Sequence, residues 1–299
     1  VEAGGEPAQG DRVLRDRILE FLVKAAREAK ERTSWINPNA EYEQALEQFL
    51  DGILLGRRSV RFRSAFLPFV RALAPLGMLR SLGQVALKCA LPGVPDVYQG
   101  TERWDLSLVD PDNRRPVDFA LRRQSLDRME PWLDPDAAPG GRRDFALELL
   151  GRWADGEVKQ YVLARALRFR RAHAGLFLGG AYRPLATDRG ASSTWAAFAR
   201  EHGGETLIAC VRVKGPAQGG PSPRWAEPPG QGRETLLLPP EWSGSAWTNL
   251  FTDTVFRASA SGEGQPGAGP EQAGPAGPGL DLSALMEDYP VAWLRRVEA

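Results

Sequence analysis

The chain has 299 residues, 42% of them hydrophobic and 25% charged, which is enough apolar material for a core and too much chain for one minimal domain. Lys plus Arg and Asp plus Glu stand at 38 each, so no net field draws nucleic acid or an anionic membrane, and a neutral substrate is compatible with the balance. No apolar run approaches the roughly 20 residues that cross a bilayer, and no basic stretch followed by an apolar core opens the chain, so a cytoplasmic protein is expected.

Residues 1–10 contain no Met and are rich in Gly, Ala and polar residues, which reads as the interior of a longer polypeptide. Over 11–32, Val13, Leu14, Ile18, Phe21, Leu22, Ala25, Ala26 and Ala29 recur at three- and four-residue steps, predicting an amphipathic helix capped by Asp11. Asn39 is suited to cap a second helix through Leu55, with Gly56 as its stop. The pattern over 59–90 is helical again, but Pro68 and Pro75 remove backbone donors and predict a break into pieces. The last piece, 76–90, is apolar nearly all round and calls for burial on more than one side.

Residues 91–100, LPGVPDVYQG, hold two prolines that force extended backbone, and Val94, Val97 and Tyr98 suit a short buried strand ended by Gly100. A buried helix followed by such a strand is an α/β unit of the kind that repeats in barrels. Helical patterns return at 117–129, 143–153 and 158–174. From about residue 176 the texture changes to short β-rich runs at 182–185, 194–199, 206–213, 234–238, 246–251 and 290–294, an antiparallel sandwich pattern. Two Gly- and Pro-rich stretches, near 214–232 and 259–279, are expected to be mobile insertions. The expected domains are therefore 1–175 and 176–299.

Cys89 and Cys210 sit in separate apolar runs and read as buried, unpaired thiols. His173 and His202 are the two histidines, and without CxxC or HxxxH spacing neither a zinc site nor another cofactor is expected. Trp35 reads as a core anchor, while Trp153, Trp225 and Trp242 are candidate sugar platforms that packing would explain as well.

The chemistry concentrates in 91–119, LPGVPDVYQGTERWDLSLVDPDNRRPVDF, where acids, amides, arginines and aromatics directly follow the expected strand. In a parallel barrel that loop carries substrate contacts. Glu102, Asp105, Asp110 and Asp112 are possible acids, Tyr98 and Trp104 can stack on sugar rings, and Gln99, Asn113, Arg114 and Arg115 can donate to hydroxyls. The alternative is a solvated turn cluster whose acids accept from backbone donors and pair with the arginines.

PGVPDVYQGTE resembles the eighth barrel strand of the α-amylase superfamily, and DPDNRRPVDF the loop and helix start that follow it. More narrowly, KAAREAKERTSWINPNAEYEQALEQFL (24–50), LGMLRSLGQVALK (76–88) and YQGTERWDLSLVDPDNRRPVDFALR (98–122) together resemble the maltooligosyl trehalose synthases. TLIACVRV, WTNLF and PVAWL extend the similarity more loosely. The resemblance implies an α/β plus all-β fold: the C-terminal portion of a (β/α)8 barrel with helical additions, strand eight near 94–98, then an antiparallel β-sandwich.

It also implies the activity of a (1,4)-α-D-glucan 1-α-D-glucosylmutase, an isomerase of trehalose biosynthesis. That reaction converts the reducing-end α-1,4 bond of a maltooligosaccharide to an α,α-1,1 bond. In this superfamily the nucleophile follows strand four, the acid strand five, and the stabilising Asp of a His-Asp pair strand seven, all upstream of the matched segment. This chain has no His-Asp dipeptide. No catalytic residue carries over, and the chain alone is expected to be inactive. Tyr98, Gln99, Glu102, Asp105, Asn113 and Arg114 remain candidates for shaping the sugar pocket. The implied partners are an α-1,4-glucan and the missing N-terminal part of the same polypeptide. A related hydrolase or phosphorylase, or a stand-alone glucan-binding module, is the rival reading.

Overall fold

The structure is a computed structural model that describes residues 9–55, 59–134, 140–214, 234–259 and 277–297. It divides into two compact units, Val1–Ala74 with Asp105–Val117, and Pro75–Trp104 with Asp118–Ala299.

In the first unit, α1 (Gln9–Ala29) and α2 (Ala40–Leu54) lie side by side. Asp11 falls in the first turn of α1 rather than at its cap. Asn39 does cap α2, accepting from the Tyr42 N–H at 3.1 Å. Charges stitch the pair: Arg15 reaches Asp51 (2.6 Å) and Glu47 (2.7 Å), and Arg27 grips both oxygens of Glu43. Gly56, the expected stop, lies outside the described residues. Trp35, expected in the core, is 56% exposed in the turn between the helices, with the Arg27 guanidinium 5.0 Å from its ring centre.

The third helix, α3 (Ser59–Ala90), runs unbroken through Pro68 and Pro75. Each proline costs about 3 kcal/mol in a helix interior. Tertiary packing of the C-terminal part offsets this: Leu79, Leu82, Val85, Ala86, Cys89 and Ala90 are all buried, as the apolar surround of 76–90 requires. By length and composition α3 is also apolar enough to cross a membrane, which corrects the expectation that no run qualifies.

The second unit is built on a six-stranded antiparallel sheet ordered β1-β2-β3-β8-β5-β6. Its strands are β1 (Ala181–Leu185), β2 (Trp195–His202), β3 (Glu205–Arg212), β5 (Ala246–Asn249), β6 (Val255–Arg257) and β8 (Val291–Val297). Strands β4 (Thr235–Leu237) and β7 (Gly279–Asp281) form a separate two-stranded ribbon. Apart from their ends, the two expected insertions lie outside the described residues.

Strand periodicity gives each face of the large sheet its own core. Phe198, Leu207, Ala209, Val211, Val291 and Trp293 face a helical layer made of the end of α3, α4 (Phe119–Met129), α5 (Arg142–Gly151), α6 (Glu157–Ala172) and α7 (Ala174–Leu178). Trp195, Ala199, Ile208, Cys210, Trp247 and Leu294 face the ribbon and α8 (Leu282–Leu285). Burying each of the larger aliphatic and aromatic side chains among them is worth about 2 kcal/mol. The first core runs across residue 175, joining α4–α7 to the sheet within the second unit. The expected antiparallel strands are present, and the large sheet has helices on one face and the ribbon on the other.

Residues 94–98 form no strand, and Val94 and Tyr98 are 89% and 59% exposed. A parallel barrel strand is held by a ladder to each neighbour; among the described residues no strand pairs with this segment. Cys89 and Cys210 are free and buried, in the helical and ribbon cores respectively, and burial pushes the Cys89 thiol up to about 11.

Candidate functional site

The two halves of the 98–115 loop fall in different units. In the unit that holds the sheet, the chain leaves α3, turns at Gly100 with φ +92°, and closes the turn with Thr101 N–H and hydroxyl both donating to the Tyr98 carbonyl. Tyr98 and Gln99 project outward and are exposed. Glu102 turns back. Its Oε2 accepts from the Gly100 N–H at 3.0 Å and from Arg122 Nε on α4 at 2.8 Å. Arg122 Nη2 donates to the Gly100 carbonyl at 2.7 Å, so one guanidinium holds both ends of the turn.

The next two residues are anchored to α4 and α6. Arg103 is buried, donating to Gln160 Oε1 at 3.0 Å, Glu157 Oε1 at 2.9 Å and the Ser125 hydroxyl; burial lowers its pKa. Lys159 Nζ donates to the Arg103 carbonyl at 3.1 Å and lies 5.7 Å from the Trp104 ring centre, and Trp104 Nε1 donates to the Trp153 carbonyl at 2.6 Å. Glu157, itself buried, also meets Arg128 and Arg152. Gly156 makes the approach possible: its φ is +80°, and a Cβ there would lie 2.9 Å from both Arg103 Cβ and Trp104 N. Beside Tyr98 a cavity of about 460 Å³ is lined by Ser81, Gln84, Lys88, Asp96, Thr101 and Lys159.

In the other unit, Asp105 is exposed and accepts from the Ser107 N–H and hydroxyl. Asp112 is buried, and Arg17 of α1 grips it with two bonds of 2.8 and 2.9 Å while the Leu108 N–H adds a third at 2.7 Å. Those donors, Arg17 foremost, hold its carboxyl down at about 2. Lys24 Nζ sits 3.0 Å from Asp110, which also pairs with Arg114, and the Lys24 bond is the main reason its pKa is lowered. The Asp110–Pro111 peptide is cis. Asn113 and Arg114 lie on the exposed side of a single 3-10 turn.

Every acid of the loop is thus engaged with a donor of its own unit. The turn-cluster reading of Asp110 to Arg114 has its counterpart in Asp110, paired with Lys24 and Arg114, and in Asp112, which accepts from Arg17 and the Leu108 N–H. Arg17, Arg103, Arg122 and Glu157 were not foreseen as partners. Arg122 lies within the YQGTERWDLSLVDPDNRRPVDFALR stretch, whereas Arg17 is 95 residues from Asp112 and nothing local signals it. Trp242 is 2% exposed, packed edge-on to Trp247 and covered by Arg183, so it offers no platform; Trp225 lies outside the described residues. Among the described residues no group of three or more His, Cys, Asp or Glu could hold a metal ion.

No family model matches the chain. Its fold is nevertheless that of a stretch of a much larger class of enzyme chain. Maltooligosyltrehalose synthase from Arthrobacter ramosus matches 95% of this chain with a TM-score of 0.64 at 28% identity, over 30% of its own length. A hypothetical maltooligosyl trehalose synthase of Sulfolobus tokodaii matches 94% with a TM-score of 0.60 at 23% identity, a likeness of fold. In sequence, a Mycobacterium tuberculosis protein provisionally named maltooligosyl trehalose synthase is 38% identical over 199 residues, 67% of this chain. Over the stretch it matches, this chain belongs with the maltooligosyl trehalose synthases, and it spans 22% of the length of that curated relative.

Proposed function

We propose that this chain is part of an intramolecular transglycosylase that turns the reducing-end α-1,4 bond of a maltooligosaccharide into an α,α-1,1 bond, and that it holds none of the reacting carboxylates. The relationship to the synthases is the observation that carries the reading. Retaining glycosyl transfer needs a nucleophilic carboxylate and a carboxylic acid about 5 Å apart. Glu102 bound to Arg122, Asp112 bound to Arg17 and Asp110 bound to Lys24 are each committed to a cation, which supports placing the chemistry outside this chain.

What the chain contributes is the wall. Tyr98 presents an aromatic ring and Gln99 an amide at the tip of a rigid turn, the pairing that stacks on a pyranose and bonds its hydroxyls. Glu102 sets that turn. In the intact enzyme a wall so built would hold the released glucose while it reorients and help exclude water from the intermediate. Asp105, Asn113 and Arg114, exposed in the other unit, are candidate polar contacts of that unit by itself. The neutral charge balance suits an uncharged glucan substrate.

Purified chain incubated with maltopentaose tests the reading. Reducing ends should persist, and formation of a non-reducing trehalose end by the chain itself refutes it. Tryptophan fluorescence in the same titration separates the rival: saturable quenching without conversion would favour a glucan-binding module.

A further inference from the structure

The first part of α3 presents a line of rings that nothing in its own unit covers. Phe62, Phe66, Phe69 and Leu73 follow one another at four, three and four residues, the spacing of a single helix face. Their exposures are 40%, 45%, 59% and 51%. Phe62 and Phe66 stack with ring centres 5.1 Å apart, and Phe69 follows at 6.3 Å. A contiguous apolar face of this kind exceeds what single exposed residues produce and marks an interaction surface.

We propose that this face seats the polypeptide that maltooligosyl trehalose synthases carry outside the stretch matched here. The inference rests on the family relationship. Matches to the solved synthases cover nearly all of this chain and less than a third of theirs, so most of each relative lies beyond the match. Charge argues for a protein occupant of particular character. Along its whole length α3 carries Arg61, Arg63, Arg71, Arg80 and Lys88 and no acid, so the matching surface is apolar with an acidic or carbonyl-rich rim. A second copy of α3 would bring arginines against arginines. An anionic bilayer is disfavoured because Arg63 is spent on Asp11 (3.0 Å) and the Leu54 carbonyl (3.1 Å), leaving a sparse basic flank.

Hydroxyl-radical footprinting decides it, comparing this chain alone with a chimera in which it replaces the matched stretch of the Mycobacterium tuberculosis relative. Oxidation of Phe62, Phe66 and Phe69 should fall about tenfold in the chimera, as for side chains at the centre of an interface. In the chain alone, the double change Phe66→Glu with Phe69→Glu should leave the melting midpoint and circular dichroism unchanged. Equal oxidation in both proteins overturns the proposal, as does a large drop in midpoint, which would show the rings packed within this chain. So does a chain that sediments as a dimer, or binds anionic vesicles, through the same rings. Protection without trehalose formation would spare this inference while removing the functional one.

Discussion

Arg122 holds Glu102 with Nε at 2.8 Å and the Gly100 carbonyl with Nη2 at 2.7 Å, so a helix side chain fixes the turn that carries Tyr98 and Gln99. The arrangement makes Glu102 a brace. Charge-assisted hydrogen bonds of this sort contribute about 1.5–3 kcal/mol. Arg122→Ala should lower stability by about that amount, and Arg122→Lys should recover only part, because an ammonium cannot span both acceptors. Urea midpoints of the three proteins check this; an Arg122→Lys protein as stable as the parent would contradict the two-point grip.

Gly156 and Gly244 form a matched pair for separating backbone strain from collision. Both have positive φ, +80° and +67°, but a Cβ meets Arg103 and Trp104 only at Gly156. Gly244→Ala should cost about 1 kcal/mol. Gly156→Ala should cost more, about 1–3 kcal/mol, and loosen the Trp104 anchor. Thermal midpoints together with tryptophan emission distinguish the two; equal losses would show that the close approach is unimportant.

Acid stability should depend on the Asp112–Arg17 pair. The carboxyl is held at about 2 in the folded chain against about 3.9 unfolded, so its folded pKa is depressed. The stability it supplies is therefore complete above about pH 4 and is lost as pH falls through about 2. Replacing Asp112 with Asn should flatten that limb between pH 4 and 2 and lower stability at neutral pH. Denaturant midpoints at stepped pH report the difference, and an unchanged slope would count against the pair.

Cys89 and Cys210 lie on opposite faces of the sheet with no exposed surface, and burial raises the pKa of both thiols. Neither should react with a thiol reagent until the unit opens. Labelling in native buffer should proceed at the unfolding rate and accelerate with urea; rapid labelling of either would show that its core is not closed.

Much of this fold was legible because its signals are local. Asn39 announced the start of α2, and the β-rich run 206–213 announced a strand, which the fold buries on both faces. The distance between Arg17 and Asp112 hides their pairing, since neither neighbourhood differs from any solvated charge. Pro68 and Pro75 misled for the opposite reason: the local rule is sound, but burial of Leu79, Leu82 and Val85 outweighs it. The short β6 and β7 escape because three residues carry no readable period. Residues 94–98 have the composition of a buried strand, yet no described strand pairs with them and only Val97 among their apolar side chains packs against the core, while Val94 and Tyr98 stay exposed. The motif around Tyr98 and Glu102 pointed to the right loop, while the arginines that shape it emerged only from the folded chain.

Activity of a chimera tests the central claim most directly. With this chain in place of the matched stretch of the Mycobacterium tuberculosis relative, maltopentaose should lose its reducing end to a trehalose terminus. A folded, monodisperse chimera that leaves every reducing end intact would contradict the assignment.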